Sequence, residues 1–238
     1  MNSVPGIISP EVTRLIVKVL AEIPLFAVLD ADGIEALARA GLPRRHGVGQ
    51  IIVHQGDPGD RLFAVLDGLV KVVFATPHGD EVVLDTLGSA ETFGELSVLD
   101  GGPRSASIVV VETAWLFSLS RAQLLALMHD HPAVADEFLH GLGALVRRLT
   151  ERTADMAFLD LGGRLAKVLL HLAGKHGDAG GTVLDRAFTQ SDLAAYVGAS
   201  RPAVNRALSA LAARRIIEIN GRTIVLLNTA ELRRRSVP

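Results

Sequence analysis

Two short stretches of the chain hold residue types that can do chemistry. The first is FGELSVLDGGPRSAS, Phe93 to Ser107, in which one carboxylate, Glu95, is followed nine positions later by Arg104 and then by Ser105. A carboxylate only accepts hydrogen bonds, a guanidinium only donates them, and a serine hydroxyl does both. In one Gly-Gly-Pro loop, Glu95 and Arg104 either pair with each other or grip opposite parts of one small molecule. On residue types alone the surface ion pair is the commoner outcome. The second stretch is VGASRPAVNRAL, Val197 to Leu208, which carries Arg201, Asn205 and Arg206. Arg grips guanine O6 and N7 bidentately and Asn pairs with adenine, so this cluster suits a DNA major groove.

Each stretch needs elements to position it. Around the first, from about Gly47 to Leu119, short runs of Val, Ile, Leu and Phe are stopped by Gly, Pro, Asp or His, as in QIIVHQGDPGD and EVVLDTLG. That pattern predicts an all-β sandwich or roll. A capped helix is expected before it, Asp30 to Gly41, and another after it, from Ser120 toward Pro132. A longer helix starts at that proline, a favoured first-turn residue. Along it Phe138, Leu142, Leu145, Leu149, Arg152 and Met156 follow at spacings of 4, 3, 4, 3 and 4, a heptad seam interrupted by one Arg. Such a seam packs either on the β domain or on a twin helix. Its length favours the twin, and so a homodimer.

Around the second stretch, Thr189 with Asp192 three positions on forms a capping-box-like start. Gly198 ends that helix, and Ser200 caps a second one reaching Ala213, the geometry of a helix-turn-helix. Ala203, Val204, Ala207, Leu208 and Leu211 supply its buried side. Thr189, Ser191, Ser200, Arg201, Asn205 and Arg206 are left as the DNA-facing set. Asn220-Gly221 lies between two β-branched runs, a strong hairpin signal, and helix-turn-helix plus hairpin makes a winged helix. The bland alternative is a helical hairpin that binds protein while its arginines are merely solvated. Ahead of this module, LGGRLAKVLLHLAGKHG reads as an amphipathic helix and GDAGG as a connector.

Charge supports the division. The net charge is −2 overall, but residues 1–184 carry 15 Lys+Arg against 22 Asp+Glu, whereas residues 185–238 carry 9 against 4. A basic region on an acidic body is the pattern of a nucleic-acid-binding module, although charge also drifts by chance. With no cysteine, disulfides, iron-sulfur clusters and thiolate metal sites are excluded, and a reducing cytoplasm is the expected location. No apolar run reaches the length of a membrane span, and the amino terminus lacks the features of a signal peptide. Nucleophile elbow and P-loop motifs are absent, so no enzyme is expected. His129 and His131 lie two apart, a poor spacing for a metal on a helix, so no metal site is expected.

Four motifs in order, GDRLFAVLDGLVKV (Gly59 to Val72), FGELSVLDGGPRSA (Phe93 to Ala106), FLDLGGRLAKVLL (Phe158 to Leu170) and VGASRPAVNRAL, make the chain resemble the cyclic-AMP receptor protein (CRP/FNR) family of bacterial transcription regulators. The type member of that family is a standard example of helix-turn-helix docking on DNA. The resemblance implies an α+β architecture: an N-terminal cyclic-nucleotide-binding β-roll (a double-stranded β-helix), a long central dimerisation helix and a C-terminal winged helix-turn-helix. The implied divisions are an extension at 1–22, the nucleotide-binding domain at 23–131, the dimerisation helix at 132–160 and the DNA-binding domain at 161–238.

It also implies roles. Glu95 binds a ribose 2′-hydroxyl, Arg104 and Ser105 bind a cyclic phosphate, and backbone N–H groups near Gly94 and Leu96 assist. The ligand is cAMP or a related cyclic nucleotide. The partners are double-stranded DNA with a pseudo-palindromic site, a second copy of the chain, and RNA polymerase. Where the family's type member contacts adenine through a Thr-Ser pair, this chain has Leu149 and Thr150, and a nearby Arg becomes Leu145. Only Thr150 keeps a hydroxyl, so the base half of the site is more apolar. A pocket that is vestigial, on a regulator that binds DNA without ligand, stays open as the alternative, as does cGMP or another nucleotide. The family's Ser-Arg-Glu pattern appears as Ser200-Arg201-Pro202, which removes the Glu able to accept from cytosine N4. No function is assigned to residues 1–22 beyond an extra helix.

Overall fold

The computed structural model describes residues 10–177, 182–184, 188–221 and 223–237. The chain forms two compact units: one runs to Val73 and resumes from Thr86 to Gly143, and the other holds Phe74–Asp85 and the chain from Ala144 onward.

In chain order, helices α1 (Pro10–Glu22) and α2 (Ala31–Ala40) precede strands β1 (Leu42–His46), β2 (Ile51–Val53), β3 (Arg61–Ala75), β4 (Glu81–Leu87) and β5 (Thr92–Phe93), all in the first unit except the end of β3 from Phe74 and β4 up to Asp85. Helix α3 (Glu95–Asp100), strand β6 (Ser107–Ser120) and helix α4 (Arg121–Asp130) follow. The strand order is β1-β6-β3-β4, with β2 paired to β6 and β5 to β3. The long strands β3 and β6 run antiparallel from Arg61 opposite Ser120 to Val73 opposite Ser107. Val65, Val70, Phe93, Ile108, Val110 and Leu116 close over one another inside the roll. The expected extra helix exists as α1. Its Ile16, Val19 and Leu20 enter a second core with Phe26, Leu37, Leu124 and Val134; residues 1–9 lie outside the described residues.

The caps are the expected ones. Asp30 accepts from the Gly33 N–H at 2.8 Å at the start of α2, and Ser120 with Gln123 forms a complete capping box on α4. Each satisfies a backbone donor that the first helical turn leaves without a partner.

Helix α5 (Pro132–Phe158) begins in the first unit and continues in the second. The residues of the expected seam differ in their exposure. Phe138 is only 6% exposed and packs into the core of its own chain, and Leu145 and Arg152 are half-buried. Large apolar residues exposed on α5 are Leu139 at 65%, Val146 at 62%, Leu149 at 48%, Met156 at 50% and, at its last position, Phe158 at 73%. The outward-facing positions are therefore Leu139, Val146, Leu149, Thr153 and Met156, while Leu142 is half-buried and packs against the core.

In the second unit, α6 (Leu161–His176) is capped by Asp160, which accepts from the Gly163 N–H at 2.7 Å. Strand β7 (Val183–Leu184), helices α7 (Gln190–Val197) and α8 (Arg201–Ala213), strands β8 (Ile217–Asn220) and β9 (Thr223–Leu226), and helix α9 (Thr229–Arg235) complete it. Leu165, Leu169, Leu193, Val204, Leu208 and Leu232 are buried among these helices. The sheet order is β7-β9-β8, so the wing has a third strand beyond the expected hairpin. Asn220, the last residue of β8, pairs with Thr223, the first of β9. Of the expected GDAGG connector only Gly177 is among the described residues.

Candidate ligand loop and nucleic-acid interface

Arg104 is the best-fixed charged side chain of the first unit. It is 6% exposed, and its backbone is pinned from both sides: its N–H donates to Asp57 O and its C=O accepts from the Gly56 N–H, each at 2.8 Å. Nη2 donates to Arg61 O at 2.9 Å and Nη1 to Gly94 O at 3.2 Å. The guanidinium also lies 5.7 Å from the ring centroid of Phe63, which stacks on Phe93 at 4.9 Å. Two glycines make the slot: a Cβ at Gly59 would lie 2.5 Å from Nε, and one at Gly94 would lie 2.5 Å from Nη1. Gly94 also has φ 88, a conformation that side chains rarely adopt.

One donor is left over. Nε of Arg104 is buried and has no hydrogen-bond partner among the described residues. Burial lowers the guanidinium pKa from its usual value, and the carboxylates of Asp60 and Glu95 oppose that shift. A buried cation with an orphaned N–H is costly unless an acceptor completes it, and an anionic oxygen is the acceptor that fits.

The other loop residues surround this group differently. Glu95 is the half-buried first residue of α3, immediately after Gly94. Ser105 is exposed and Leu96 is 38% exposed. Ser97, buried beneath the loop, donates from its hydroxyl to Pro103 O at 3.2 Å and holds the Gly-Gly-Pro turn against α3. Thus Gly94, Glu95, Leu96, Arg104 and Ser105 are brought together in the first unit. Thr150 belongs to the second unit, where it is exposed and its hydroxyl donates to Val146 O at 3.0 Å. Arg61, Gly59 and Phe63 were missed as site residues, although the motif GDRLF contains them. Nothing in their types shows that backbone and ring would cradle a cation from another strand.

The second unit carries the candidate DNA face. Thr189 caps α7 reciprocally with Asp192, its Oγ1 accepting from the Asp192 N–H at 3.1 Å while the Asp192 carboxylate accepts from the Thr189 N–H at 2.9 Å. Gly198 ends α7 in the left-handed region, at φ 63, and α8 begins three residues later with Pro202 in its first turn. Ser200 occupies the cap position without a side-chain capping bond. Thr189, Ser191, Ser200, Arg201 and Arg206 are exposed. Asn205 is only half-buried rather than fully outward, with Oδ1 enclosed and without a hydrogen-bond partner among the described residues.

With this geometry in hand, comparison with known proteins is specific. The chain matches the model of the cyclic nucleotide-binding domain over residues 43–131 and that of the Crp-like helix-turn-helix domain over residues 163–235. A CRP-like cAMP-activated global transcriptional regulator of Mycobacterium tuberculosis is 34% identical over 221 residues, 92% of this chain and 99% of the relative. The chain belongs to the CRP/FNR family. A cyclic AMP receptor protein of Thermus thermophilus is 35% identical over 88% of this chain and 94% of the relative. Among solved structures, a c-di-GMP responsive global regulator of Xanthomonas campestris superposes with a TM-score of 0.73 at 26% identity, covering 83% of this chain and 99% of that one. This CRP/FNR protein is a transcription regulator with a cyclic-nucleotide-binding domain and a helix-turn-helix, not an enzyme. Among the described residues no group of three His, Cys, Asp or Glu is placed to hold a metal, and no helix is long and apolar enough to cross a membrane.

Proposed function

We propose that the chain is a homodimeric regulator whose DNA affinity is controlled by a cyclic nucleotide, cAMP in the first instance. The observation that carries this reading is the buried Arg104 guanidinium with its orphaned Nε. In this reading Arg104 and Ser105 donate to the cyclic phosphate and Glu95 accepts from the ribose 2′-hydroxyl. Backbone N–H groups near Gly94 and Leu96 complete the anion site. Thr150 is the polar group proposed for the base. The outward-facing positions of α5 pair two copies, and Arg201, Asn205 and Arg206, with Thr189, Ser191 and Ser200, meet DNA. In a dimer the two recognition helices enter successive major grooves about 34 Å apart. RNA polymerase is the proposed further partner, and the domain limits 23–131, 132–160 and 161–238 go with this assignment.

Calorimetry with cAMP, cGMP and cyclic di-GMP, followed by operator titration with and without each, tests it. The expected result is a nucleotide that binds the wild type, strengthens DNA binding and fails to bind Arg104→Ala. DNA binding indifferent to every nucleotide would replace this reading with a ligand-independent regulator.

A further inference from the structure

Arg152 is the one charged position in the apolar heptad of α5, and the second unit gives a reason. Its guanidinium donates to Leu84 O and Val83 O of β4, the latter at 2.6 Å, and also to Tyr196 O of α7 at 3.0 Å. One side chain thus holds the Phe74–Asp85 segment, α5 and the first helix of the helix-turn-helix together. The next residue of β4, Asp85, faces basic side chains from two helices: Arg148 from α5 at 3.4 Å, and Lys175 and the His171 ring from α6 at 3.3 and 3.7 Å. Lys175 is 19% exposed and Asp85 20%, so this pair is partly desolvated, whereas Arg148 and His171 reach Asp85 from the surface, at 54% and 49% exposed. Burial lowers the Arg152 pKa, opposed by Tyr196, Asp85 and Asp155, which is the signature of a cation held inside the unit.

The segment Phe74–Asp85 lies within the stretch matched to the cyclic nucleotide-binding domain, yet it packs with the unit that holds the helix-turn-helix. It is also continuous with the ligand loop. Strand β3 begins at Arg61, whose carbonyl receives Arg104, and ends at Ala75, while β4 leads on to β5 and Glu95.

We infer that Arg152 is the positioning residue that couples nucleotide occupancy to the helix-turn-helix, with Asp85 as its supporting clamp. This rests on the proposed function and names the regulatory connection of that site. A planar guanidinium suits the task because its two Nη groups spread their N–H donors in a fixed fork that reaches carbonyls of two elements at once, whereas the donors of a Lys ammonium all radiate from one nitrogen and an apolar residue has none. Coupling between two ligands is reciprocal, so loss of the pin weakens both the effect of nucleotide on DNA affinity and the effect of DNA on nucleotide affinity.

The test uses the full chain as wild type, Arg152→Met, Arg152→Lys and Asp85→Asn. DNA dissociation constants are measured with and without cAMP, and amide hydrogen exchange is followed in residues 74–85 and 190–197. The expected result is that Arg152→Met still binds cAMP, but the ratio of the two constants falls about tenfold or to near unity. Exchange in both segments speeds up in Arg152→Met and Asp85→Asn, and Arg152→Lys recovers the coupling only in part. A wild type that ignores every nucleotide sinks the proposed function and this inference with it. A wild type that responds, with Arg152→Met responding equally or with exchange unchanged in the two segments, overturns this inference alone.

Discussion

Replacing Gly59 by Ala should disable the ligand loop from a position that contributes no side chain to it. The added Cβ would lie 2.5 Å from Nε and 2.7 Å from Cζ of Arg104, and 2.7 Å from Ser97 Cβ. Ordinary carbon contacts begin near 3.5 Å, so the guanidinium has to move by about 1 Å. It has nowhere to retreat without loss, because Nη2 and Nη1 are fixed on Arg61 O and Gly94 O at 2.9 and 3.2 Å. A displacement of that size takes both bonds beyond hydrogen-bonding range, and each bond from a charged donor is worth roughly 1.5–3 kcal/mol. Allowing for partial relaxation, the variant should lose about 2–4 kcal/mol of stability in this unit. Its cyclic-nucleotide affinity should fall at least about tenfold, the equivalent of about 1.4 kcal/mol. Calorimetric titration with cAMP and thermal unfolding read both quantities. Gly47→Ala is the control, since a Cβ there meets nothing within 4 Å and Gly47 has no positive φ. Wild-type nucleotide affinity in Gly59→Ala, or an equal loss in Gly47→Ala, would refute the slot argument.

Three other outcomes are expected. Leu139→Glu with Val146→Glu should turn a dimer into a folded monomer in sedimentation, because both side chains are more than half exposed; an unchanged dimer would move the interface elsewhere. A binding selection should keep guanines where Arg201 and Arg206 read them, with Arg206→Ala costing about 1–3 kcal/mol at its base pair, and should relax at the pair a Glu at position 202 would have read. A strict preference at every position would count against this. Finally, Arg234 and Arg235 hold the Glu231 carboxyl at about 2, below its ordinary value of 4.5. Its folded pKa is depressed, so its pairing supports α9 above pH 4.5 and is lost as the pH falls toward 2; an NMR titration midpoint near 4.5 would contradict the pairing.

Much of this was legible because local chemistry repeats itself. Asp30, Ser120 and Thr189 announce helices α2, α4 and α7 by supplying an acceptor to an orphaned N–H, and all three do so in the structure. The ligand loop was legible as a set of types, but not as a geometry. That Arg104 is buried depends on Gly59 and Phe63, more than 40 positions away, and only tertiary packing brings them in. Which residue of α5 turns into its own core was not legible for a related reason. Phe138 and Leu139 are both apolar and both fit a heptad with Leu142 and Leu149, and periodicity does not choose between them. The neighbouring core does, by taking Phe138. Strand β7 has two residues, too few for any alternation to register.

The enclosed Arg104 has a consequence for the life of the protein. Its desolvation is incurred at folding, and among the described residues its Nε has no acceptor. A bound phosphate oxygen would relieve that deficit, and occupancy at 100 times Kd would add about 2.7 kcal/mol to the folded state. The nucleotide would then govern how long each copy survives proteolysis as well as what it binds. Pulse proteolysis with and without cAMP should show that difference in wild type and none in Arg104→Ala.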